Sequence, residues 1–233
     1  LLKPIERLME VFENVLTQIS DLLWGYPLII LLFGTHLFLT FRLRFIQRFI
    51  GKAIKISLRR DKEGKGDISQ FGALTTALAA TIGTGNIVGV STAVAAGGPG
   101  AVLWMWLTGV FGIATKYSEA LLSVKYRIKM QDGSMAGGPM YVLEHGLKLK
   151  WLAILFAAFT SVTAFGIGNM VQANSISVLV HESFQIPMWV TGLILTVLTA
   201  VVILGGIKSI ARVCEGLVPF MAITYVLGCL IIL

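Results

Sequence analysis

The sequence has little charge and few cysteines or histidines. Of its 233 residues, 13% are charged, two are cysteines and three are histidines, whereas 56% are hydrophobic. Soluble domains carry roughly 25% charged residues, so the composition excludes a soluble globular enzyme and a disordered segment. The two cysteines, Cys214 and Cys229, lie in apolar stretches, which excludes a disulfide scaffold. The composition predicts an integral membrane protein.

Long apolar runs are abundant. A membrane-spanning helix needs about 20 mostly apolar residues. Six segments meet this requirement: 22–41, 70–96, 99–127, 151–180, 188–206 and 212–233. The third and fourth segments have ~30 residues each, which is longer than the hydrocarbon core requires. We therefore predict an all-α membrane fold with six transmembrane helices, and a tilt or kink in the two long ones.

The two ends of the sequence do not resemble natural termini. It begins without a methionine and stops at Leu233 inside an apolar run. Residues 1–20 are acidic and amphipathic and lack the basic-then-apolar layout of a cleavable signal. We therefore expect a fragment that lacks partner helices.

The basic residues are concentrated in three connections between the predicted spans. Residues 42–65, 125–150 and 208–212 hold 16 of the 19 lysines and arginines, and with six spans these connections fall on one side of the membrane. The positive-inside rule puts that side in the cytoplasm and the N-terminus outside. Topology and membrane lipid therefore explain the net charge of +7, and we expect no nucleic-acid partner.

The second predicted span is poorly suited to a continuous helix. Its centre reads Thr81-Ile82-Gly83-Thr84-Gly85-Asn86, and each glycine costs ~1 kcal/mol relative to alanine in a helix. An opened turn at membrane depth exposes amides that suit a carboxylate and carbonyls that suit a cation such as Na⁺. We therefore predict a discontinuous second helix with a binding site at the break. The alternative is close helix packing, because Gly85 and Gly89 also form a G-x-x-x-G pattern.

The fourth predicted span has a second polar face. Small, aromatic and polar residues recur there at helical spacings of three and four: Ser161, Phe165, Gly168, Asn169, Gln172 and Ser175. A glutamine at mid-span is costly unless it has a partner. We predict that Gln172 and Asn169 bind substrate or line its pocket. The alternative for Gln172 is an interhelical hydrogen bond of ~0.6–2 kcal/mol.

Three charged residues in or near the spans each have two interpretations. Lys116 and Glu119 lie three residues apart in the third span, where they form either a charge-neutralising pair or an ion relay. Glu215 is either a charge at the start of the sixth span or a gate contact. The sequence leaves these roles open.

The sequence contains no recognisable catalytic constellation. Its three histidines, His36, His145 and His181, fall in a span, at an interface and in an outer turn, and no H-E-x-x-H occurs. We therefore expect no enzyme, no organic cofactor and no metal other than a coupling ion. The repeated carbonyl run of a channel filter is not visible either.

Three stretches with matching order and spacing resemble the alanine/glycine:cation symporter family. They are residues 71–90, which contain Gly83-Thr84-Gly85-Asn86, residues 114–127, which begin Ala114-Thr115-Lys116-Tyr117-Ser118-Glu119-Ala120, and Gly137-Gly138-Pro139-Met140-Tyr141. The resemblance extends from about Trp24 to the end. It implies a fold similar to the LeuT-type transporters, which have two inverted five-helix repeats. Residues 1–69 would then be an amphipathic segment, a leading span and a basic cytoplasmic loop, and residues 70–233 the first repeat, with the second repeat missing.

The resemblance also implies roles for residues at the break. In LeuT-type transporters the first repeat helix unwinds at Gly-x-Gly-Asn, which Gly83-Thr84-Gly85-Asn86 matches. The amides of Thr84 and Gly85 would hold the substrate carboxylate. The cation contacts would come from two pairs of groups: the carbonyl of Thr81 with the side chain of Asn86, and the carbonyls of Ala79 and Ile82.

The function that the resemblance implies is sodium-coupled symport of alanine or glycine by alternating access, in the plasma membrane of a prokaryote. A proton-coupled amino-acid transporter, or a channel, is the alternative. The preference between alanine and glycine, the stereoisomer, the ion stoichiometry and the oligomeric state stay open.

Overall fold

The computed structural model describes residues 2–60, 66–131 and 133–233, with side chains for all of these except 2–6 and 8. Two of the predicted cytoplasmic cations, Lys62 and Lys65, lie outside the described residues. The α-helices, numbered in chain order, are α1 (Leu2–Trp24), α2 (Tyr26–Arg42), α3 (Ile50–Ser57), α4 (Gln70–Thr81), α5 (Val90–Gly97), α6 (Gly100–Lys125), α7 (Pro139–Tyr141), α8 (Lys150–Thr163), α9 (Val171–Phe184), α10 (Met188–Leu204) and α11 (Gly206–Ile232).

Other elements connect these helices. A 3₁₀ helix covers Ile46–Phe49, and π-helices cover Gly85–Gly89, Val142–Gly146 and Ala164–Met170. Strands β1 (Ile128–Lys129) and β2 (Met135–Ala136) pair antiparallel, with Ile128 opposite Ala136. The longest π-helix joins α8 to α9, so the predicted fourth span is one helix of 35 residues with a wider turn in its middle.

Three helices in the described part of the chain are long and apolar enough to cross a membrane: Met9–Arg42, Lys150–Phe184 and Gly206–Ile232. A fourth candidate is the bent pair Gln70–Thr81 and Gly85–Gly97. Helix α10 is apolar but has only 17 residues, and α6 is not among the candidates although it has 26. The structure therefore supports an all-α membrane protein with three or four of the six predicted spans.

The first compact unit comprises Leu1–Arg48 and Val102–Glu119. Two contacts between polar side chains lie in its interior. His36 Nδ1 and Thr115 Oγ1 are 2.7 Å apart, and Gln47 Nε2 donates to the hydroxyl oxygen of Thr40 at 3.1 Å. His36 and Thr40 are buried. Because polar groups in an apolar environment need partners, these bonds fix α2 in this unit.

The second compact unit comprises Phe49–Ala101 and Ala120–Leu233. Within it, α4 packs along α11 and α10 lies against α9. The helices α4 and α11 meet through small or β-branched residues that are buried: Gly72 and Thr75 on α4, and Ala211 and Val218 on α11. Small side chains permit this close approach between apolar helices. The packing holds α4 in place below the predicted break.

Candidate functional site

Helix α4 ends at Thr81, where the glycines predict that the second span opens. Ile82 is extended, with φ −82° and ψ 114°. After Gly83 the chain turns back into a helix, which is π-helical over Gly85–Gly89 and then continues as α5. The two halves are bent by 59°. The second helix is therefore discontinuous, as the sequence predicts.

A reciprocal pair of hydrogen bonds closes the turn at the break. The Gly83 N–H donates to Asn86 Oδ1 at 3.2 Å, and the Asn86 N–H donates to the Gly83 carbonyl at 3.0 Å. In a continuous helix the Gly83 N–H would bond to the Ala79 carbonyl, four residues earlier. The side chain of Asn86 therefore takes over this donor, and the Ala79 carbonyl loses its helical partner.

Gln172 reaches the break from the middle of the fourth span. Its Oε1 accepts the Thr84 N–H at 3.0 Å across 88 residues of sequence. A Cβ on Gly83 would lie only 3.2 Å from both amide atoms of Gln172, so the glycine provides the room for this approach. Both Gln172 and Thr84 are half-buried. The structure thus brings together two of the predicted substrate-binding residues, Thr84 and Gln172, with Gly83 between them.

Asn169 lies three residues before Gln172 in the fourth span. It is in the π-helix Ala164–Met170 and lines a cavity of about 590 Å³ with Gln172 and residues of α10 such as Gly192 and Thr196. Among the described residues, no hydrogen bond joins the Asn169 side chain to the break. Asn169 is therefore next to the candidate site without contacting its backbone.

Gly85 has open space beside it. Among the described residues, apart from its chain neighbours and the backbone of its own helix, none would come within 4 Å of a Cβ built on Gly85. The amides of Thr84 and Gly85 lie at the amino end of the second half-helix, where the backbone dipole is positive. A small anionic group could approach Gly85 through this space, but at Thr84 it would have to replace Gln172 Oε1 as the acceptor.

The predicted cation-binding groups surround the break but do not converge on one point. Ala79 and Ile82 line an apolar cavity of about 620 Å³ together with residues of α11 such as Leu217 and Tyr225. Thr81 is exposed, and its hydroxyl donates to the Ala77 carbonyl at 2.7 Å. In the described part of the chain, no three His, Cys, Asp or Glu residues group closely enough to hold a metal ion. A cation here would be held by carbonyl, hydroxyl and amide oxygens.

The structure gives partners to the charged residues whose roles were open. Lys116 Nζ lies 3.2 Å from Glu119 Oε2, with the side chains 74% and 46% exposed. The ion pair is formed, which agrees with charge neutralisation. Glu215 Oε1 accepts a hydrogen bond from the Ser69 hydroxyl at 2.9 Å.

Sequence reasoning missed Ser69 and Thr115. Ser69 precedes an apolar run and accepts the Gly72 N–H at 2.9 Å, so it is the N-cap of α4. That position is a recognisable N-cap signal. Thr115 forms a hydrogen bond with His36. The presence of a histidine in a span indicated that such a partner must exist, because a buried imidazole requires one.

The comparisons with known proteins agree on one family. The model described as the sodium:alanine symporter family matches residues 9–233. The sodium/alanine symporter AgcS of Methanococcus maripaludis is 51% identical over 229 residues, which cover 95% of this chain and 51% of that protein. An uncharacterized transporter of Haemophilus influenzae is 55% identical over 223 residues, covering 95% and 49%. The amino-acid carrier protein AlsT of Bacillus subtilis is 39% identical over 222 residues, covering 94% and 47%.

An all-α membrane chain with a span that opens beside a polar side chain has the features of a secondary transporter. The chain belongs to the sodium:alanine symporter family. The resemblance drawn from the three motifs is therefore confirmed, and so is the expectation of a transporter family rather than an enzyme family. The chain spans about half the length of the curated relatives it matches.

Proposed function

We propose that this chain is half of a secondary active transporter that couples sodium to the uptake of small neutral amino acids, alanine and glycine. One observation carries the proposal: at the break of the second span, the Thr84 N–H is paired with Gln172 Oε1. A backbone donor and a side-chain amide from two different spans meet there, in a chain of the sodium:alanine symporter family.

The substrate carboxylate binds at the amino end of the second half-helix. The Thr84 N–H already has an oxygen at 3.0 Å, and a carboxylate oxygen would form a stronger bond in its place because it is charged. The helix dipole favours an anion at the same position. Gln172 would then turn its Nε2 donor towards the carboxylate.

The close approach of Gln172 to Gly83 leaves little room for a bulky group at that point of the break. A Cβ on Gly83 would lie 3.2 Å from the Gln172 amide, whereas no described residue beyond its own helix and chain neighbours would come within 4 Å of a Cβ on Gly85. Gln172, which contacts the break, also lines the cavity that contains Asn169. Alanine and glycine fit this description as the smallest neutral amino acids.

Sodium binds to neutral oxygens at the end of the first half-helix. The Ala79 carbonyl has lost its helical partner, and the Asn86 amide oxygen has a second lone pair beyond its bond to Gly83. We assign the Thr81 carbonyl to the same cation as the Asn86 side chain, and the Ile82 carbonyl to a second cation together with the Ala79 carbonyl. By linkage, if sodium tightens alanine binding, alanine tightens sodium binding by the same factor.

The transport cycle follows from a LeuT-type arrangement. Here the six predicted spans are a leading helix and a first repeat, and a second repeat of the same protein supplies the other wall of the site. Alternating access then exposes the site to each side in turn. We place the basic connections in the cytoplasm, the N-terminus outside, and the protein in a prokaryotic plasma membrane.

Uptake of radiolabelled alanine into liposomes tests this function. The full-length protein is reconstituted, and inward gradients of Na⁺, K⁺ or H⁺ are imposed separately. We expect accumulation that requires the Na⁺ gradient, saturates with alanine and is inhibited by unlabelled glycine. Empty liposomes and a Gly85→Val protein, in which a branched side chain would fill the open space beside Gly85 that we assign to the substrate, are the controls.

Three other outcomes contradict parts of the proposal. Accumulation driven by the pH gradient alone would replace sodium with a proton and direct attention to Glu119 and Glu215. Flux that does not saturate would indicate a channel. If no small amino acid is concentrated under any gradient, the family relationship has preserved the fold without this function.

A further inference from the structure

At its amino end, α4 is hydrogen-bonded to a carboxylate of α11, in addition to the apolar packing between the two helices. Glu215 Oε1 accepts the Ser69 hydroxyl at 2.9 Å, and the Ser69 oxygen in turn accepts the Gly72 N–H at 2.9 Å. The contact joins residues that are 146 positions apart in sequence. One chain of hydrogen bonds therefore runs from α11 through the N-cap into the first turn of α4.

The packing around this contact leaves no room for a larger residue at position 72. A Cβ on Gly72 would lie 2.5 Å from Glu215 Oε1 and 3.0 Å from Ser69 Oγ. Gly72 is buried, and Ala211 on α11 is also in its immediate surroundings. The Glu215 carboxylate thus occupies the space that a side chain at position 72 would fill. This close fit defines the position in which the start of α4 packs against α11.

The opposite end of α4 is not held in the same way. Ala79 and Ile82, next to the break, line an apolar cavity of about 620 Å³ with residues of α11 that include Cys214 and Tyr225. The two helices touch closely near Gly72 and leave a cavity near Ile82. A short helix of 12 residues that is fixed at one end transmits any movement of that end to the break.

We infer that Glu215 is a positioning residue for the binding segment: by holding Ser69 it sets where α4 lies on α11 and where the opened turn is presented. The inference deepens the proposed function, because the carbonyls assigned to sodium are at the far end of the same helix. Release of the Glu215–Ser69 contact lets α4 leave α11, which opens the cavity between them.

The surroundings allow this contact to break and form again. Glu215 and Ser69 are half-buried and line a pocket of about 320 Å³ with three cations, Arg60, Lys208 and Arg212, and one other carboxylate, Asp67. A carboxylate released from Ser69 therefore keeps positively charged groups nearby and is not left in an apolar interior, which would be strongly unfavourable.

Alkylation of Cys214 tests the inference without reference to any substrate. Cys229 and any other cysteine of the full-length protein except Cys214 are first replaced by serine. A membrane-impermeant maleimide is then applied to each side of proteoliposomes. Four variants are compared with this parent: Glu215→Ala, Ser69→Gly, Glu215→Gln and the control Glu144→Ala. Glycine is a tolerable N-cap, so Ser69→Gly removes the hydroxyl while the helix start is largely kept.

We expect Glu215→Ala and Ser69→Gly each to speed alkylation of Cys214 about tenfold, as loss of a hydrogen bond to a charged group permits. The double variant should be no faster than either single one, because both remove the same contact. Glu215→Gln keeps an acceptor oxygen and should stay within about threefold of the parent. Glu144→Ala removes a carboxylate whose only described ion pair is a 4.0 Å contact with Lys150, and should match the parent.

Unchanged alkylation in both Glu215→Ala and Ser69→Gly would overturn the inference, and so would additive effects in the double variant. If Glu215→Ala does not fold, the alkylation rates of Ser69→Gly and Glu215→Gln test the inference without it. Equal rates in these two variants would then overturn the inference. A protein that fails to take up alanine but shows the expected alkylation pattern would contradict the proposed function and leave this inference standing.

Discussion

Gln172 is the side chain whose removal tests the candidate site most directly. Gln172→Ala deletes the acceptor of the Thr84 N–H and the Nε2 donor that we assign to the substrate carboxylate. The first bond is between neutral groups and corresponds to ~1 kcal/mol. It is given up when the carboxylate takes its place, so its absence favours substrate binding. The second involves a charged group and corresponds to ~1.5–3 kcal/mol. The net loss of ~0.5–2 kcal/mol should raise the apparent constant for alanine ~2- to 30-fold.

The measurement is the alanine dependence of uptake by the full-length protein at saturating Na⁺. Gln172→Glu is a matched variant, because it keeps an oxygen for Thr84 but replaces the donor with a negative charge. It should lose more affinity than Gln172→Ala. Gln18→Ala, which removes an exposed glutamine of α1, should behave as the parent protein.

Two results would refute the reasoning about Gln172. An unchanged constant in Gln172→Ala would mean that the side chain contacts the break without serving the substrate. A lower constant would mean that Gln172 competes with the substrate for the Thr84 N–H and that no compensating bond forms in the bound state.

Three further predictions concern neighbouring contacts. Gly83→Ala should raise the apparent constant for alanine about as much as Gln172→Ala, because the added Cβ would lie 3.2 Å from the Gln172 amide and displace it. The alanine dependence of uptake checks this, and an unchanged constant would contradict it. Asn86→Ala should raise the half-saturating Na⁺ concentration ~10-fold, since the turn loses its Gly83 partner and the site loses an oxygen; the Na⁺ dependence of uptake is the measurement. His36→Leu should lower the free energy of unfolding by ~1–3 kcal/mol, because the Thr115 hydroxyl loses its partner. A thermal melt in detergent checks this, and an unchanged Tm would mean that the bond does not contribute to stability.

The position of the break could be predicted from the sequence because its cause is local. Glycines on either side of Thr84 weaken the helix by backbone entropy alone, and Asn86 supplies a side chain that can replace a helical acceptor. The need of Gln172 for a partner was also predictable from the sequence. The free-energy cost of an unpaired amide in an apolar environment does not depend on which helix lies beside it.

The partners themselves could not be predicted, because they depend on tertiary packing. The Thr84–Gln172 bond spans 88 residues and the Ser69–Glu215 bond spans 146. Helical periodicity gives the face on which Glu215 lies but not the helix it meets. The π-helical stretch in the fourth span was expected only as an unspecified tilt or kink.

Thr84 limits how much affinity the site can gain from its backbone donors. Its N–H is already bonded to Gln172, so a carboxylate that binds there exchanges one acceptor for another and does not satisfy an empty donor. The net gain is then the difference between a charged and a neutral acceptor, together with whatever bond the displaced Gln172 amide makes. Gln172 therefore contributes to affinity only if its Nε2 finds the substrate, and this is the reason that Gln172→Glu is predicted to bind alanine more weakly than Gln172→Ala.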